Sequence, residues 1–317
     1  MRIVSLLPSA TELICGLGLR DHLVGVSHEC DYPPTFEGLP KLTCSRIPCG
    51  LASGDIDVIV SEQLATDQIL YDLDVPLLIE LEPDLVVTQA LCNVCAVSGN
   101  DVARAFGQLC GNPVLINLEP TSLAEVLDSA IQVSVAAGCQ DRGERYVKKL
   151  RNRIKKVSDK SNEIASQSKP RVALLDWVDP LFDGGHWSPE IIALAGGNPC
   201  LGVQGQPSQR RDWSDLIDAG PEVILVALCG FNIARSMQDI RQFVSSKEFS
   251  RLKKDAGTRV YLFDGNAYFS RPGPRLVDAL EITANALHPD LHVLPAGLEP
   301  AMEIETLNTR LGASNKW

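Results

Sequence analysis

C-Q-D-R-G-E-R-Y-V-K-K-L-R-N-R-I-K-K-V-S-D-K-S-N-E-I-A-S-Q, residues 139–167, is the stretch around which the rest of the chain is organised. Tyr146, Val147, Leu150, Ile154, Val157 and Ile164 recur at helical spacing, no proline interrupts them, and the only internal glycine, Gly143, lies in the first turn. About 27 residues of helix would reach on the order of 40 Å. The apolar stripe is narrow, so one side rests on protein and the other stays in water. Its spacing does not hold a heptad long enough for a coiled-coil seam. On both sides, short apolar runs alternate with amphipathic stretches. The pattern predicts an α/β protein of two lobes joined by a rigid helical strut, with the working site between the lobes. The expected boundaries are 1–118 for the first lobe, 119–169 for the connecting helices, 170–290 for the second lobe and 291–317 for a surface or disordered tail.

Composition sets outer limits. A chain of 317 residues accommodates one large or two medium domains, each with a real core. No apolar run reaches the roughly 18 residues of a spanning helix. Met1-Arg2 leads straight into I-V-S-L-L-P without a signal-peptide core, so a cytoplasmic protein is expected. Its ten cysteines then read as reduced thiols or ligands, not as a disulfide framework. A net charge of −11 argues against general nucleic-acid binding. Basic residues concentrate in the 139–167 helix, where a solvated surface explains them better than a phosphate site.

In the first lobe, Ile3–Leu7 reads as a buried parallel strand and P-S-A-T-E-L-I-C-G as a helix. Ser9 and Glu12 have the spacing of a capping box at its start. Leu23–Val26 is the second strand, and its exit loop carries His28, Cys30, Asp31 and Tyr32. Strand exits are where open parallel sheets bind ligands. Residues 43–76 form a less regular insert with a helix from Ser53 or Asp55. Asp84–Thr88 is the next strand, followed by Cys92 and Cys95 in a C-x-x-C. That spacing lets two thiolates reach one metal ion, or one thiol attack the other; it is equally compatible with an incidental pair. Cys30, His28 and His186 are the candidates to complete a metal set, zinc with three thiolates and a histidine or an iron–sulfur cluster. Cys15, Cys110 and Cys139 read as small core residues.

The second lobe opens with the strand Arg171–Leu175 and the loop D-W-V-D-P-L-F-D-G-G-H-W-S-P-E. Trp177 and Trp187, clustered with Asp183, His186 and two glycines, suit a wall for a flat or large ligand; a tryptophan packed under a tight glycine turn is the structural alternative. A helix at Pro189–Ala195 follows. The strand Val223–Ala227 exits to Cys229 and Phe231, and Arg259–Phe263 exits to Asp264, Asn266, Tyr268, Phe269 and Arg271. A helix near Pro274 would then aim backbone N–H groups at that loop.

The opening I-V-S-L-L-P-S-A-T-E-L, then L-V-G-V-S-H-E-C-D-Y-P and L-E-P-D-L-V-V-T-Q, resembles the cobalamin- and iron-siderophore-type periplasmic binding proteins. So do L-F-D-G-G-H-W-S-P-E-I-I-A-L-A-G-G-N-P and F-S-R-P-G-P-R-L-V-D-A-L-E-I in the second lobe. The similarity runs over about residues 2–288. L-C-N-V-C-A-V-S and G-G-H-W resemble a cytosolic branch of that superfamily. The resemblance implies the class III fold: α/β, two Rossmann-like lobes joined by one long rigid helix, with a ligand held between the lobes. It places the family's aromatic and acidic loop positions at Tyr32, Trp177, Trp187 and residues 264–270. Transport relatives also carry one acidic residue per lobe that docks a membrane permease. Here those positions align with Asp101 and Ser214/Asp215, which puts transporter docking in question.

Two functional readings follow. In the first, a monomeric binding protein holds a small molecule, a corrinoid such as cobalamin or another metal chelate. Tyr32, Trp177, Trp187, Tyr268 and Phe269 pack on the ring, Asp264, Asn266 and Arg271 make polar contacts, and Asp183, His186 and Phe231 lie alongside. In the second, Cys30, Cys92, Cys95 and a histidine, His28 or His186, form a metal or iron–sulfur enzyme site. No Ser-His-Asp order, Walker loop or strand-exit G-x-G-x-x-G is present, so hydrolase, NTPase and dinucleotide readings have no support.

Overall fold

The computed structural model describes residues 1–304 except 35, 37, 49, 67–69, 90–106, 108 and 110. Two compact units share the chain: Met1–Lys156 with Arg271–Asp278, and Val157–Ser270 with Ala279 onward. Each is built on its own sheet.

In the first unit the order is β1 (Ile3–Ser5), α1 (Pro8–Gly16), β2 (Leu23–Val26), β3 (Thr43–Ser45), α2 (Ser53–Ala65), β4 (Tyr71–Leu73), α3 (Val75–Glu80), β5 (Leu85–Thr88), β6 (Val114–Asn117), α4 (Leu123–Ala136) and α5 (Gln140–Ser161). The sheet order is β2-β1-β5-β6, parallel throughout. Ile-Val-Ser in β1 and Leu-Val-Val-Thr in β5 are buried at every position, as parallel strands covered on both faces require. Val4, Leu6, Leu42, Leu78 and Val86 form a core cluster. The 43–76 insert has a frame of its own, because β3 and β4 pair antiparallel. Asp74 closes it by accepting a bond from the Leu77 amide, 3.0 Å, at the start of α3.

Two expectations change here. The Ser9–Glu12 capping box does not form. Pro8 takes the first helical turn, Leu7 is the cap residue without a side-chain bond, and Glu12 is 3% exposed and turned to arginines instead. The long helix is α5, 22 residues rather than about 27. It stops where buried Ser161 meets His292 Nε2 at 3.1 Å, and Asn162–Ile164 turn before the next strand. Its buried positions Val147 and Leu150 follow the expected stripe. Gly16 of α1 lets it in close, since a Cβ there would run into the Tyr146 ring.

The second unit takes the end of α5 from Val157, then β7 (Arg171–Val178), β8 (Leu181–Asp183), α6 (Ser188–Leu194), β9 (Asn198–Pro199), α7 (Trp213–Ala219), β10 (Val223–Val226), α8 (Ile233–Ser245), α9 (Lys247–Ala256), β11 (Arg259–Leu262), α10 (Gly265–Tyr268), most of α11 (Leu276–Leu287) and β12 (Met302–Glu303). Its sheet runs β12-β11-β10-β7-β8. β10 is parallel to both β7 and β11, while β8 and β12 add antiparallel edges. Leu175, Ile224, Val226, Val260 and Leu262 pack with Phe243, Phe249 and Leu252 from α8 and α9. Each such side chain contributes on the order of 1.5–3 kcal/mol by leaving water.

Residues 291–304 are not a loose tail. His292 is buried, and β12 pairs with β11 through Tyr261–Glu303 and Leu262–Met302. A two-residue strand leaves no periodicity to read, yet it covers a sheet edge that would otherwise carry unpaired backbone groups. Among the described residues, no helix is long and apolar enough to cross a membrane.

Candidate ligand-binding site

In the second unit β7, β10 and β11 run parallel, so their exits share one edge of the sheet. Trp177 is the penultimate residue of β7, half-buried and paired with Phe182 of β8, whereas the sequence predicts the strand to stop at Leu175; its Nε1 donates to Asp179 O at 3.0 Å. Its ring lies 5.0 Å from that of Phe231, which follows β10. The Arg235 guanidinium sits 4.2 Å over the Phe231 ring. The Asn266 amide donates to Phe231 O at 3.1 Å, which ties the β10 exit to the β11 exit. Asp264 caps α10 by accepting from the Ala267 amide at 2.8 Å, and half-buried Tyr268 closes that short helix. Trp177 near the end of β7, and Phe231, Asp264, Asn266 and Tyr268 on the exits of β10 and β11, thus lie at one edge of the sheet.

Other expected residues lie deeper in the same unit. Trp187 is 6% exposed and donates from Nε1 to Phe269 O at 3.0 Å. Phe269 is buried edge-on against Phe263. His186 stacks on Trp187 at 5.4 Å with a left-handed φ of 49°. Burial holds its imidazole below the usual value, and its buried Nδ1 has no hydrogen-bond partner among the described residues. Asp183 is fully buried and committed: it accepts from Arg211 Nε at 2.7 Å and from the Gln209 amide at 2.8 Å. Asp176, which the sequence reading placed in this loop without a role, accepts a short bond from Ser208 Oγ. Burial first, and then the nearby Asp183 charge, push its carboxyl up to about 7.

Arg271 belongs to the first unit, although the sequence reading grouped it with the 264–271 loop. There it grips Asp31 with both arms, at 2.5 and 3.0 Å, and donates to Glu29 O at 3.2 Å and Glu12 Oε1 at 3.3 Å. Burial alone would raise Asp31, but the Arg271 bond and charge outweigh it and hold that carboxyl below its ordinary value. Arg275 reaches Glu12 Oε1 at 2.6 Å and lies 4.2 Å over the ring of Tyr32, which is 45% exposed. Glu12 and Arg275 were not among the expected site residues. Glu12 carried a signal, a carboxylate on an apolar helical run, that was read as a cap.

The metal set does not assemble from the described residues. Cys92 and Cys95 lie outside them, as does Asp101. Cys30 is 4% exposed, its Sγ lies 3.0 Å from Thr11 Oγ1 and 3.2 Å from Ser27 Oγ, and burial pushes the thiol up, away from the thiolate a metal needs. His28 is engaged as well, with Nδ1 2.7 Å from Thr43 Oγ1 and Nε2 3.3 Å from Glu29 Oε1. Among the described residues no three His, Cys, Asp or Glu side chains are placed to hold an ion. Zinc and an iron–sulfur cluster therefore lack a donor set among the described residues.

The family profile described as "Periplasmic binding protein" matches residues 3–267. The chain belongs to that family. It is 25% identical over 295 residues to an uncharacterized ABC transporter substrate-binding lipoprotein, YvrC, of Bacillus subtilis strain 168, covering 91% of this chain and 80% of that one. It is 24% identical over 285 residues to the vitamin B12-binding protein of Vibrio cholerae serotype O1, covering 88% and 86%. Among solved structures, the apo periplasmic heme-binding protein RhuT from Roseiflexus sp. RS-1 superposes with a TM-score of 0.63 at 24% identity, covering 91% and 98%. The α/β class III periplasmic-binding-protein fold expected from the sequence is the fold observed.

Proposed function

We propose that this family member is a binding protein whose ligand is a large, flat tetrapyrrole-type molecule, a corrinoid or another metal chelate. The observation that carries the reading is the Trp177–Phe231 ring pair at the parallel strand exits, with Tyr268 on the neighbouring exit. Flat apolar side chains there offer a large contact area at low entropic cost. The names of a vitamin B12-binding relative and a heme-binding structural neighbour support the same ligand class. The name of the Bacillus subtilis relative adds an ABC transporter as the class of partner. Of the two acidic docking positions, Asp215 bonds the Asp212 amide at 2.9 Å in the cap of α7. A cytoplasmic setting is the alternative to that transporter partnership. Its support is the thiol content, ten cysteines, of which six are free thiols among the described residues.

Titration with cyanocobalamin, cobinamide and hemin tests the ligand class. Binding at 100 times the dissociation constant adds about 2.7 kcal/mol to stability and quenches tryptophan emission, less so in Trp177→Phe. Unchanged emission and an unchanged thermal midpoint with all three compounds would refute the reading.

A further inference from the structure

Glu12 is the least exposed carboxylate of the first unit's ion network, with 1% of its side chain in contact with solvent. Burying a charge this far costs more than a hydrophobic residue of similar size would, so its presence calls for a role beyond packing. Two arginines converge on its Oε1, Arg275 at 2.6 Å and Arg271 at 3.3 Å. Each passes the constraint on to a different residue of one loop. Arg271 clamps Asp31 with a two-armed fork, and Arg275 covers a face of the next residue, Tyr32. Gly273, between the arginines, eases the approach, because a Cβ there would stand a tight 3.3 Å from Glu12 Oε2 and from Ser9.

A guanidinium lying over an aromatic ring is free to swing away unless one of its nitrogens is fixed. The buried carboxylate of Glu12 fixes it. A lysine would supply the charge without the planar fork that both holds the carboxylate and stacks on the ring. We propose that Glu12 is a positioning residue: through Arg275 and Arg271 it fixes Tyr32 and Asp31, and so sets how firmly the first unit presents Tyr32 to a flat ligand. The effect on affinity rests on the proposed function, while the ordering of Tyr32 does not.

The test uses the full chain in two steps. Fluorine NMR of protein carrying 3-fluorotyrosine at its five tyrosines, with Tyr32 assigned by Tyr32→Phe, reads the ring without any ligand. Glu12→Gln and Arg275→Lys should move the Tyr32 signal to a common, solvent-like position while thermal unfolding stays cooperative. Affinity for hemin or cyanocobalamin is then measured in a double-mutant cycle. Glu12→Gln should weaken binding about tenfold in the wild-type background and less than about twofold in Tyr32→Ala, because the effect travels through Tyr32. An unmoved Tyr32 signal, or equal losses in both backgrounds, overturns the proposal. If neither probe binds the wild type, the ligand reading fails and the fluorine shift alone decides the positioning role.

Discussion

In the first unit, Asp31 and Tyr32 are held by a buried ion network; in the second, Trp177, Trp187 and Phe231 are held by ring contacts and bonds to backbone carbonyls. The two solutions differ in how they fail. A buried ion network concentrates its energy in a few charges that compensate one another, so losing one removes part of the compensation of each of the others. The aromatic face spreads its energy over many small contacts, each replaceable at modest cost. A side chain's fixity therefore says little about its robustness.

The sharpest break of that contrast is Glu12→Leu. It should destabilise the protein by about 3–5 kcal/mol in urea unfolding, because Arg271 and Arg275 lose their shared buried partner. A loss under about 1 kcal/mol would place the network on the same footing as the aromatic face.

Next in size is Asp176, the one strongly shifted carboxyl in the aromatic unit. Its folded value of about 7 lies above the ordinary value of 3.8, so the folded state binds the proton more tightly than the unfolded state. The stabilisation is complete below pH 3.8, declines as pH rises, and is gone once pH has passed about 7. Between those limits the slope should approach about 1.4 kcal/mol per pH unit. The facing charge is Asp183, itself paired with Arg211, and Ser208 supplies the hydroxyl. Asp176→Asn should flatten this part of the stability–pH profile; an unchanged slope would assign it to other groups.

The smallest effect is expected for Trp187→Phe. The ring is kept, but Phe269 O loses its donor, at a cost of about 1–3 kcal/mol in denaturant unfolding. A cost equal to that of Glu12→Leu would erase the distinction between the two units.

What the sequence made legible follows the range of the interactions involved. β2 begins and ends where the apolar run Leu23–Val26 does, and β10 and β11 differ from expectation by one residue at their ends. Buried parallel strands write themselves as unbroken apolar runs. The exits of β10 and β11, and with them Phe231, Asp264, Asn266 and Tyr268, followed from those runs; Trp177 did not, because β7 runs on to Val178 and takes it into the ladder with β8. The Glu12 network did not, because its bonds join residues 259 and 263 positions apart. A local rule for helix starts claimed the carboxylate first. Trp187 and Phe269 were read from their chemistry as ligand wall, although their bond to one another is the packed alternative that a sequence pattern does not separate. β12 is too short to leave a pattern at all.

The return of Arg271–Asp278 to the first unit has a consequence for how the protein is made. A ribosome adds on the order of 5–20 residues per second. Glu12 therefore emerges tens of seconds before Arg271 and Arg275, and through that interval its charge lacks both of them. Until then the carboxylate has two ways out, taking up a proton or keeping α1 in water. The first unit's last piece thus comes after about three quarters of the second unit has been translated.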